Sequence, residues 1–149
     1  MTSTASENGR TIARRFTEDL WDKGELAMAD EIIASDFVDH DPVSGQRAGL
    51  DGYKEMVGAF RAAFPDLRVK NEDVIVEEDK VVVRWTARGT HNGQLMNIPP
   101  TGKQVALKGI DIIRVDNGRM AERWGEFDTL GMLQQLGVIP RNRPPSRFT

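Results

Sequence analysis

Apolar residues recur at helical spacing through the first part of the chain. Ile12, Phe16 and Leu20 follow one another at intervals of four, which predicts an amphipathic helix with one buried face. Pro65 must end the last helix of this part, because proline cannot continue the backbone hydrogen-bond ladder. The pattern predicts three helices, over about residues 7–22, 26–33 and 50–64.

After Pro65 the spacing of apolar residues becomes alternating, which is typical of half-buried strands. In the second of these strands Val83 and Trp85 alternate with Arg84 and Thr86, so one face is apolar and the other polar. The pattern predicts strands over residues 69–77, 80–91, 105–115 and 119–127. A final helix over 129–136 follows, with Asp128 as its N-cap and Gly137 at its end.

Helices followed by an antiparallel meander predict an α+β fold. We expect a cone-shaped α+β barrel, in which the three N-terminal helices cover one face of a strongly curved, mostly antiparallel sheet. Such a cone encloses a pocket between helices and sheet, where ligands usually bind. Residues 1–140 are expected to form a single domain, and residues 141–149, rich in proline and arginine, an extended tail.

The composition is that of a globular domain and excludes several functions. Of 149 residues, 39% are hydrophobic and 29% are charged. The net charge of −3 gives no indication of nucleic-acid binding, and no apolar run approaches the roughly 18 residues that a membrane-spanning helix needs. The absence of cysteine excludes disulfides, thiolate metal sites and a cysteine nucleophile. With no apolar leader segment visible, a cytoplasmic location is expected.

Several short motifs occur together in one order along the chain. They are Phe37-Val38-Asp39-His40-Asp41-Pro42, Gly52-Tyr53-Lys54, Ala63-Phe64-Pro65-Asp66, Gly89-Thr90-His91-Asn92-Gly93, Ile98 to Lys103, Gly109 to Val115, Gly118-Arg119, Glu122-Arg123-Trp124 and Leu130 to Gly137. With them, residues 8–140 resemble the SnoaL-like polyketide cyclase family. The resemblance implies the nuclear transport factor 2-like cone, a homodimer, and a cofactor-free enzyme or a ligand-binding relative of one.

The resemblance also implies where catalysis takes place. The family's cyclases pair a histidine on the third strand of the meander with an aspartate on the fourth, and the aspartate is the general acid/base of an intramolecular aldol closure. Aligning the glycine turn places Asp111 at the histidine position and Gly125 at the aspartate position. This sequence therefore departs from the family pattern at both positions.

Asp111 interrupts the apolar strand around it. Burial of a carboxylate raises its pKa, and a pKa near the working pH suits a general acid or base. The alternative is a structural aspartate held in a salt bridge or hydrogen bond.

The hairpin at Asn117-Gly118 decides which residues face Asp111. A two-residue turn would set Asp111 opposite Trp124, with Glu126 on the same face. A three-residue loop would set it opposite Arg123, with Gly125 on that face, and this register is preferred because it gathers an apolar face from Leu107, Ile113, Val115, Ala121 and Phe127. Arg123 would then lower the pKa of Asp111, or bind an enolate or carboxylate of the ligand.

His40 is a candidate proton shuttle at the cavity mouth, because Asp39 and Asp41 flank it and would raise its pKa. No metal site is expected, since the only other histidine, His91, lies on a different element. Glu126 is an alternative carboxylate if a bulge turns it inward, and otherwise faces solvent or a dimer partner.

Two functions follow from these residues. The first is a cofactor-independent enzyme for a hydrophobic cyclic carbonyl compound, with Asp111 as acid/base, Arg123 as charge stabiliser and His40 as shuttle. The second is a non-catalytic ligand-binding or dimerisation module. In the dimer, Ile110, Ile112 and Trp124 would be covered on the outer sheet face. Candidate ligand-binding residues are Phe16, Met56, Phe60, Trp85, Trp124 and Glu126, although core packing explains most of them equally well.

Overall fold

The computed structural model describes residues 4–140, so the predicted tail at 141–149 lies outside the described residues. The elements are α1 (Thr4–Arg14), which continues as a π-helical segment (Arg15–Asp22), α2 (Ala27–Ile32), β1 (Ile33–Asp39), α3 (Gly49–Ala63), β2 (Arg68–Glu77), β3 (Lys80–Thr90), β4 (Gln104–Asp116), β5 (Arg119–Phe127) and α4 (Thr129–Gln135). Within this part of the chain no helix has both the length and the apolarity to cross a membrane.

The strands form one curved but open sheet in the order β1-β5-β4-β3-β2. Strands β2 to β5 are an antiparallel meander, as the alternating pattern predicted. The α+β fold with helices on a mostly antiparallel sheet is therefore confirmed, although the sheet keeps two free edges at β1 and β2.

Strand β1 is an element that sequence analysis missed. It pairs with β5 in parallel and begins where the predicted second helix was still expected to run. Its buried residues Ile33 and Phe37 are four positions apart, a spacing that also suits a helix. The pairing is irregular between Ile33 and Val38, so no alternating pattern marks this strand.

The core consists of two hydrophobic clusters on the inner face of the sheet. One gathers Phe16, Leu20, Val81 and Ile113, and the other gathers Phe64, Leu107, Met132 and Leu136. The side chains of Trp21, Met56 and Trp85 are partly buried and pack against both clusters. These three residues therefore lie at the boundary between the two halves of the core.

The β4–β5 hairpin differs from both registers considered from the sequence. Asn117 and Gly118 have φ values of 51° and 74°, which is the two-residue turn, so the preferred three-residue loop is wrong. Between the pairs Val115–Met120 and Arg114–Glu122, however, β5 carries one extra residue, Ala121, as a bulge. The bulge shifts the register, and Asp111 lies opposite Gly125 rather than Trp124 or Arg123.

Candidate functional site

A cavity of about 330 Å³ lies between the helices and the inner face of the sheet. This volume is in the range of small-molecule sites. Its wall is mostly apolar and includes Phe16, Trp21, Met56, Phe60, Trp85 and Phe127. Asp111 and Arg123 are its buried charged residues, whereas the exposed residues Pro42, Ser44 and Met96 form its mouth.

The structure brings most of the candidate ligand-binding residues to this cavity. Phe16, Met56, Phe60 and Trp85 all line it. Glu126 also contributes to the lining, but its side chain is exposed. It pairs with Ile110 on β4, whereas Asp111 pairs with Gly125, so Glu126 does not lie opposite Asp111.

His40 and Trp124 are placed elsewhere, and the prediction of His40 at the cavity mouth is wrong. Their rings stack on each other, with centroids 4.6 Å apart and planes 4° apart, and neither residue lines the cavity. His40 Nε2 lies 3.4 Å from Glu122 Oε2. Trp124 faces outward because its neighbours on β5, Arg123 and Gly125, line the cavity, and His40, which follows β1, stacks on it.

Arg123 is shared between two buried carboxylates. Its Nη1 donates a hydrogen bond of 2.8 Å to Asp39 Oδ1, and its Nη2 lies 2.8 Å from Asp111 Oδ1. All three side chains are at most 10% exposed. The sequence predicted the Asp111–Arg123 pair, but not Asp39, which reaches Arg123 because β1 pairs with β5 at Asp39 and Arg123.

The pKa of Asp111 is raised, because burial penalises the charged carboxylate more than Arg123 stabilises it. The indole N–H of Trp85 also acts to lower this pKa, and Asp39 acts to raise it. The lowered pKa expected from a dedicated ion pair is therefore wrong, since Arg123 divides its charge between two carboxylates. A carboxyl group with a raised pKa can hold and release a proton nearer neutral pH, as general acid/base chemistry requires.

Gly125 makes room for the Asp111 carboxyl group. A Cβ atom at position 125 would overlap Asp111 Oδ1 and would come within 2.5 Å of Arg123 Nη2. The carboxyl of Asp111 therefore occupies the volume that a side chain at 125 would fill.

The segment after β1 is fastened to the same network. Asp41 Oδ2 accepts a hydrogen bond of 2.8 Å from the Gly125 backbone N–H, and its carbonyl accepts one of 3.3 Å from Arg123. Gln46 donates from Nε2 to Asp39 Oδ2 at 2.9 Å. Since Asp41 and Gln46 line the cavity, part of the mouth is tied to its charged interior. In the sequence this segment was marked only by the motif around His40. The two aspartates of that motif, Asp39 and Asp41, join the buried network, whereas His40 does not.

Tyr53 is a further polar residue of the cavity, a position that the motif Gly52-Tyr53-Lys54 did not predict. Its hydroxyl accepts a hydrogen bond of 3.2 Å from the Trp21 indole N–H, and its ring centroid lies 5.9 Å from the guanidinium carbon of Arg123. Burial raises the pKa of Tyr53, so the phenol stays neutral. A neutral phenol keeps a proton that it can donate.

The described part of the chain contains no cluster suited to bind a metal ion. Across residues 4–140, no group of three or more His, Asp or Glu side chains is placed to hold a metal ion. His91 is fully buried beneath the loop after β3, where its Nδ1 accepts a hydrogen bond of 3.2 Å from the Thr101 backbone N–H. It therefore supports the loop.

Comparison with known proteins finds similarity to a protein family along most of this chain. Residues 11–136 match the family model described as SnoaL-like polyketide cyclase. The nogalonic acid methyl ester cyclase of Streptomyces nogalater is 28% identical over 119 residues, which cover 76% of this chain and 87% of the relative.

Solved structures agree with this result. TsrD from Streptomyces laurentii superposes with a TM-score of 0.82 at 25% identity, covering 93% of this chain and all of that one (100%). A Bacillus cereus protein, named as a candidate polyketide cyclase, gives 0.82 at 30% identity and covers 93% of this chain and 87% of its own. AclR from Streptomyces galilaeus, named as a candidate hydroxylase, gives 0.79 at 23% identity over 95% of this chain and 87% of its own, and shows the shared fold alone.

The raised pKa of Asp111 predicts how Asp111→Asn changes stability with pH. The unfolded carboxyl ionises at its ordinary pKa of about 3.9, before the folded one does. The stability that this carboxyl group contributes to the wild type is therefore lost as the pH rises from that value through the raised folded pKa, whereas the variant has no such contribution to lose. Urea unfolding at a series of pH values should show the stability of Asp111→Asn increasing relative to wild type across this window. A decrease would mean that the folded pKa is lowered.

The contact at Gly125 predicts a strong coupling between positions 125 and 111. Gly125 has no left-handed φ, so Gly125→Ala acts through its Cβ and not through the backbone. We expect it to lower the free energy of unfolding by about 1–3 kcal/mol, the usual cost of overpacking. In an Asp111→Ala background the cost should fall, with a coupling above about 0.5 kcal/mol in a double-mutant cycle. Equal costs in both backgrounds would contradict the overlap.

Proposed function

Because the chain belongs to the SnoaL-like polyketide cyclase family, we propose that it is a cofactor-independent acid/base enzyme of the cyclase or isomerase type. Its substrate is a hydrophobic, cyclic, carbonyl-bearing small molecule of polyketide metabolism. The observation that supports this best is Asp111, a carboxyl group of raised pKa in a mostly apolar cavity beside the buried cation Arg123.

In the proposed reaction Asp111 moves one proton. Its carboxylate removes a proton from the carbon next to a ligand carbonyl, and the C–H electron pair passes into the carbonyl to leave an enolate oxygen. In a cyclase the enolate carbon then attacks a second carbonyl of the same molecule, and Asp111 returns its proton to the alkoxide that forms. In an isomerase the proton returns to a different carbon. Both sequences are redox-neutral.

The position of Asp111 supports the comparison with the family's cyclases. The resemblance assigns their catalytic aspartate to position 125, which is glycine in this chain. Since Asp111 lies directly opposite Gly125 and fills the space above it, the carboxyl group is retained in the cavity from the neighbouring strand. Proton transfer depends on where the carboxyl group lies, not on which strand supplies it.

The surroundings of Asp111 suit this chemistry. Arg123 stays charged, because burial, which would lower its pKa, is outweighed by the facing acidic groups that raise it. It can thus stabilise negative charge that develops on the ligand, and in a cavity that excludes water this effect is larger than in solution. The aromatic wall favours a flat ring system and holds it against Asp111.

A ligand screen with Asp111→Asn tests the proposal. The panel contains aromatic polyketides, cyclic terpenoids and steroid-like ketones, and thermal shift measures binding because a ligand of the folded state raises Tm. We expect one class to raise the Tm of both proteins. Turnover of that class should fall at least about 100-fold in Asp111→Asn, and the wild-type kcat/KM should rise with pH through the raised pKa of Asp111. Turnover that survives in the variant would exclude Asp111 as the acid/base.

A non-catalytic ligand-binding module is the second candidate. The observation that favours it is the sharing of Arg123 between Asp39 and Asp111, which a purely structural role would also explain. In that case the screen should find binding without conversion, and Asp111→Asn should change stability alone.

We also propose a homodimer through the outer sheet face. Ile110 and Ile112 on β4 are 50% and 39% exposed, beside the stacked rings of His40 and Trp124. An apolar patch of this kind favours a partner. Sedimentation velocity should give a dimer for the wild type and a monomer for Ile112→Glu. Leu26→Glu, which changes a leucine 37% exposed at the start of α2, in the helical layer on the other side of the sheet, should remain dimeric. A monomeric wild type would contradict the dimer.

A further inference from the structure

Buried polar atoms without partners concentrate at the cavity. Among the described residues, four buried side-chain nitrogen or oxygen atoms make no hydrogen bond of ordinary geometry: Trp85 Nε1, His91 Nε2, Asp111 Oδ1, which is nevertheless ion-paired with Arg123 Nη2 at 2.8 Å, and Arg123 Nε. Three of the four belong to residues that line the cavity. Such atoms cost free energy when they stay unpaired, so a cluster of them calls for an explanation.

A glycine on the neighbouring strand leaves room for the Trp85 indole. Trp85 pairs with Gly109, where a Cβ would overlap the indole ring and approach the Glu126 carbonyl to 2.9 Å. Phe127 packs against the same indole, with ring centroids 6.4 Å apart. Because Asp111 is two residues beyond Gly109 on the same face, the indole N–H lies near its carboxyl group and favours the ionised form, although it makes no hydrogen bond of ordinary geometry to it.

The second tryptophan of the cavity provides a contrast. The Trp21 indole N–H already donates to the Tyr53 hydroxyl at 3.2 Å, so it is not free for a ligand. Arg123 uses Nη1 for Asp39 and for the Asp41 carbonyl and Nη2 for its ion pair with Asp111, which leaves Nε as the donor without a partner. The unpaired donors at the cavity are therefore one indole N–H and one guanidinium N–H, next to one carboxyl group.

We propose that the Trp85 indole N–H and the Arg123 Nε–H form a binding site for an anionic ring oxygen of the ligand, an enolate or a phenolate. This inference rests on the proposed function, because an enolate is the species that Asp111 produces. When Asp111 takes the proton it becomes neutral, and the charge moves from its carboxylate to the ligand oxygen. The cavity keeps its net charge, and the two N–H groups that have no partner in the structure donate to the enolate oxygen. Trp85 is thus a catalytic hydrogen-bond donor as well as part of the wall.

The test compares two probes of the same shape. 2-Naphthol can present an anionic oxygen, whereas 2-methylnaphthalene cannot, and isothermal titration calorimetry measures both against each protein. In Trp85→Phe, which keeps the aromatic ring and removes the N–H, we expect naphthol affinity to fall about tenfold, as for loss of one hydrogen bond to a charged group. Methylnaphthalene affinity should change less than about twofold, since apolar contact is largely kept.

Trp21→Phe is the matched control, because it removes an indole N–H that already has a partner in the same cavity. It should alter the affinities of both probes by the same factor. On the wild type, the more acidic 6-cyano-2-naphthol should bind more tightly than 2-naphthol.

The outcomes separate this inference from the proposed function. Equal losses for naphthol and methylnaphthalene in Trp85→Phe would overturn the oxygen site and leave the cavity as a ligand site. A naphthol preference that Trp85→Phe does not reduce would also overturn it. If neither probe binds the wild type, the cavity does not accept a flat ring system, and the proposed function fails together with the oxygen site.

Discussion

The site depends on one buried cation, Arg123, which lies between the carboxylates of Asp39 and Asp111. The three residues come from three adjacent strands, β5, β1 and β4, so the ion network fixes the parallel edge strand against the hairpin. Removing one partner of a buried ion pair typically costs about 3–5 kcal/mol, because the remaining charge is left uncompensated. The mouth segment through Asp41 and Gln46 is attached to the same network, so the cavity wall and its charged interior are one structural unit.

The sharing of Arg123 also sets the acid/base character of Asp111. A dedicated guanidinium would keep a buried carboxylate ionised to low pH, whereas a guanidinium divided between two carboxylates compensates each one less. Burial then dominates at Asp111 and raises its pKa. The arrangement that secures the sheet therefore leaves a carboxyl group in the cavity that can exchange a proton, and structural and catalytic roles of Asp111 do not exclude each other.

Two glycines on the sheet leave room for the cavity side chains that carry the proposed chemistry. Gly125 leaves room for the Asp111 carboxyl group, and Gly109 leaves room for the Trp85 indole, so both side chains lie against strands that carry none of their own at that point. The resemblance implies a catalytic aspartate at position 125 in the family's cyclases, and in the function proposed for this chain Asp111 provides the carboxyl group instead. The surrounding donors, one indole and one guanidinium, match a ring oxygen better than a second acid.

The sequence by itself determined most of the helices, the antiparallel meander and the inward face of β3, because each leaves a local periodicity. That Asp111 and Arg123 share a face was expected from a three-residue turn that does not form, and the bulge in β5 is what places them together. The sequence could not give β1, whose buried residues Ile33 and Phe37 have helical spacing, and therefore missed Asp39. It could not place the bulge at Ala121, which decides that Asp111 lies opposite Gly125 and that His40 and Trp124 face outward. Only the tertiary structure decided the direction of the Asp111 pKa, because that depends on how many buried charges share one guanidinium across strands distant in sequence.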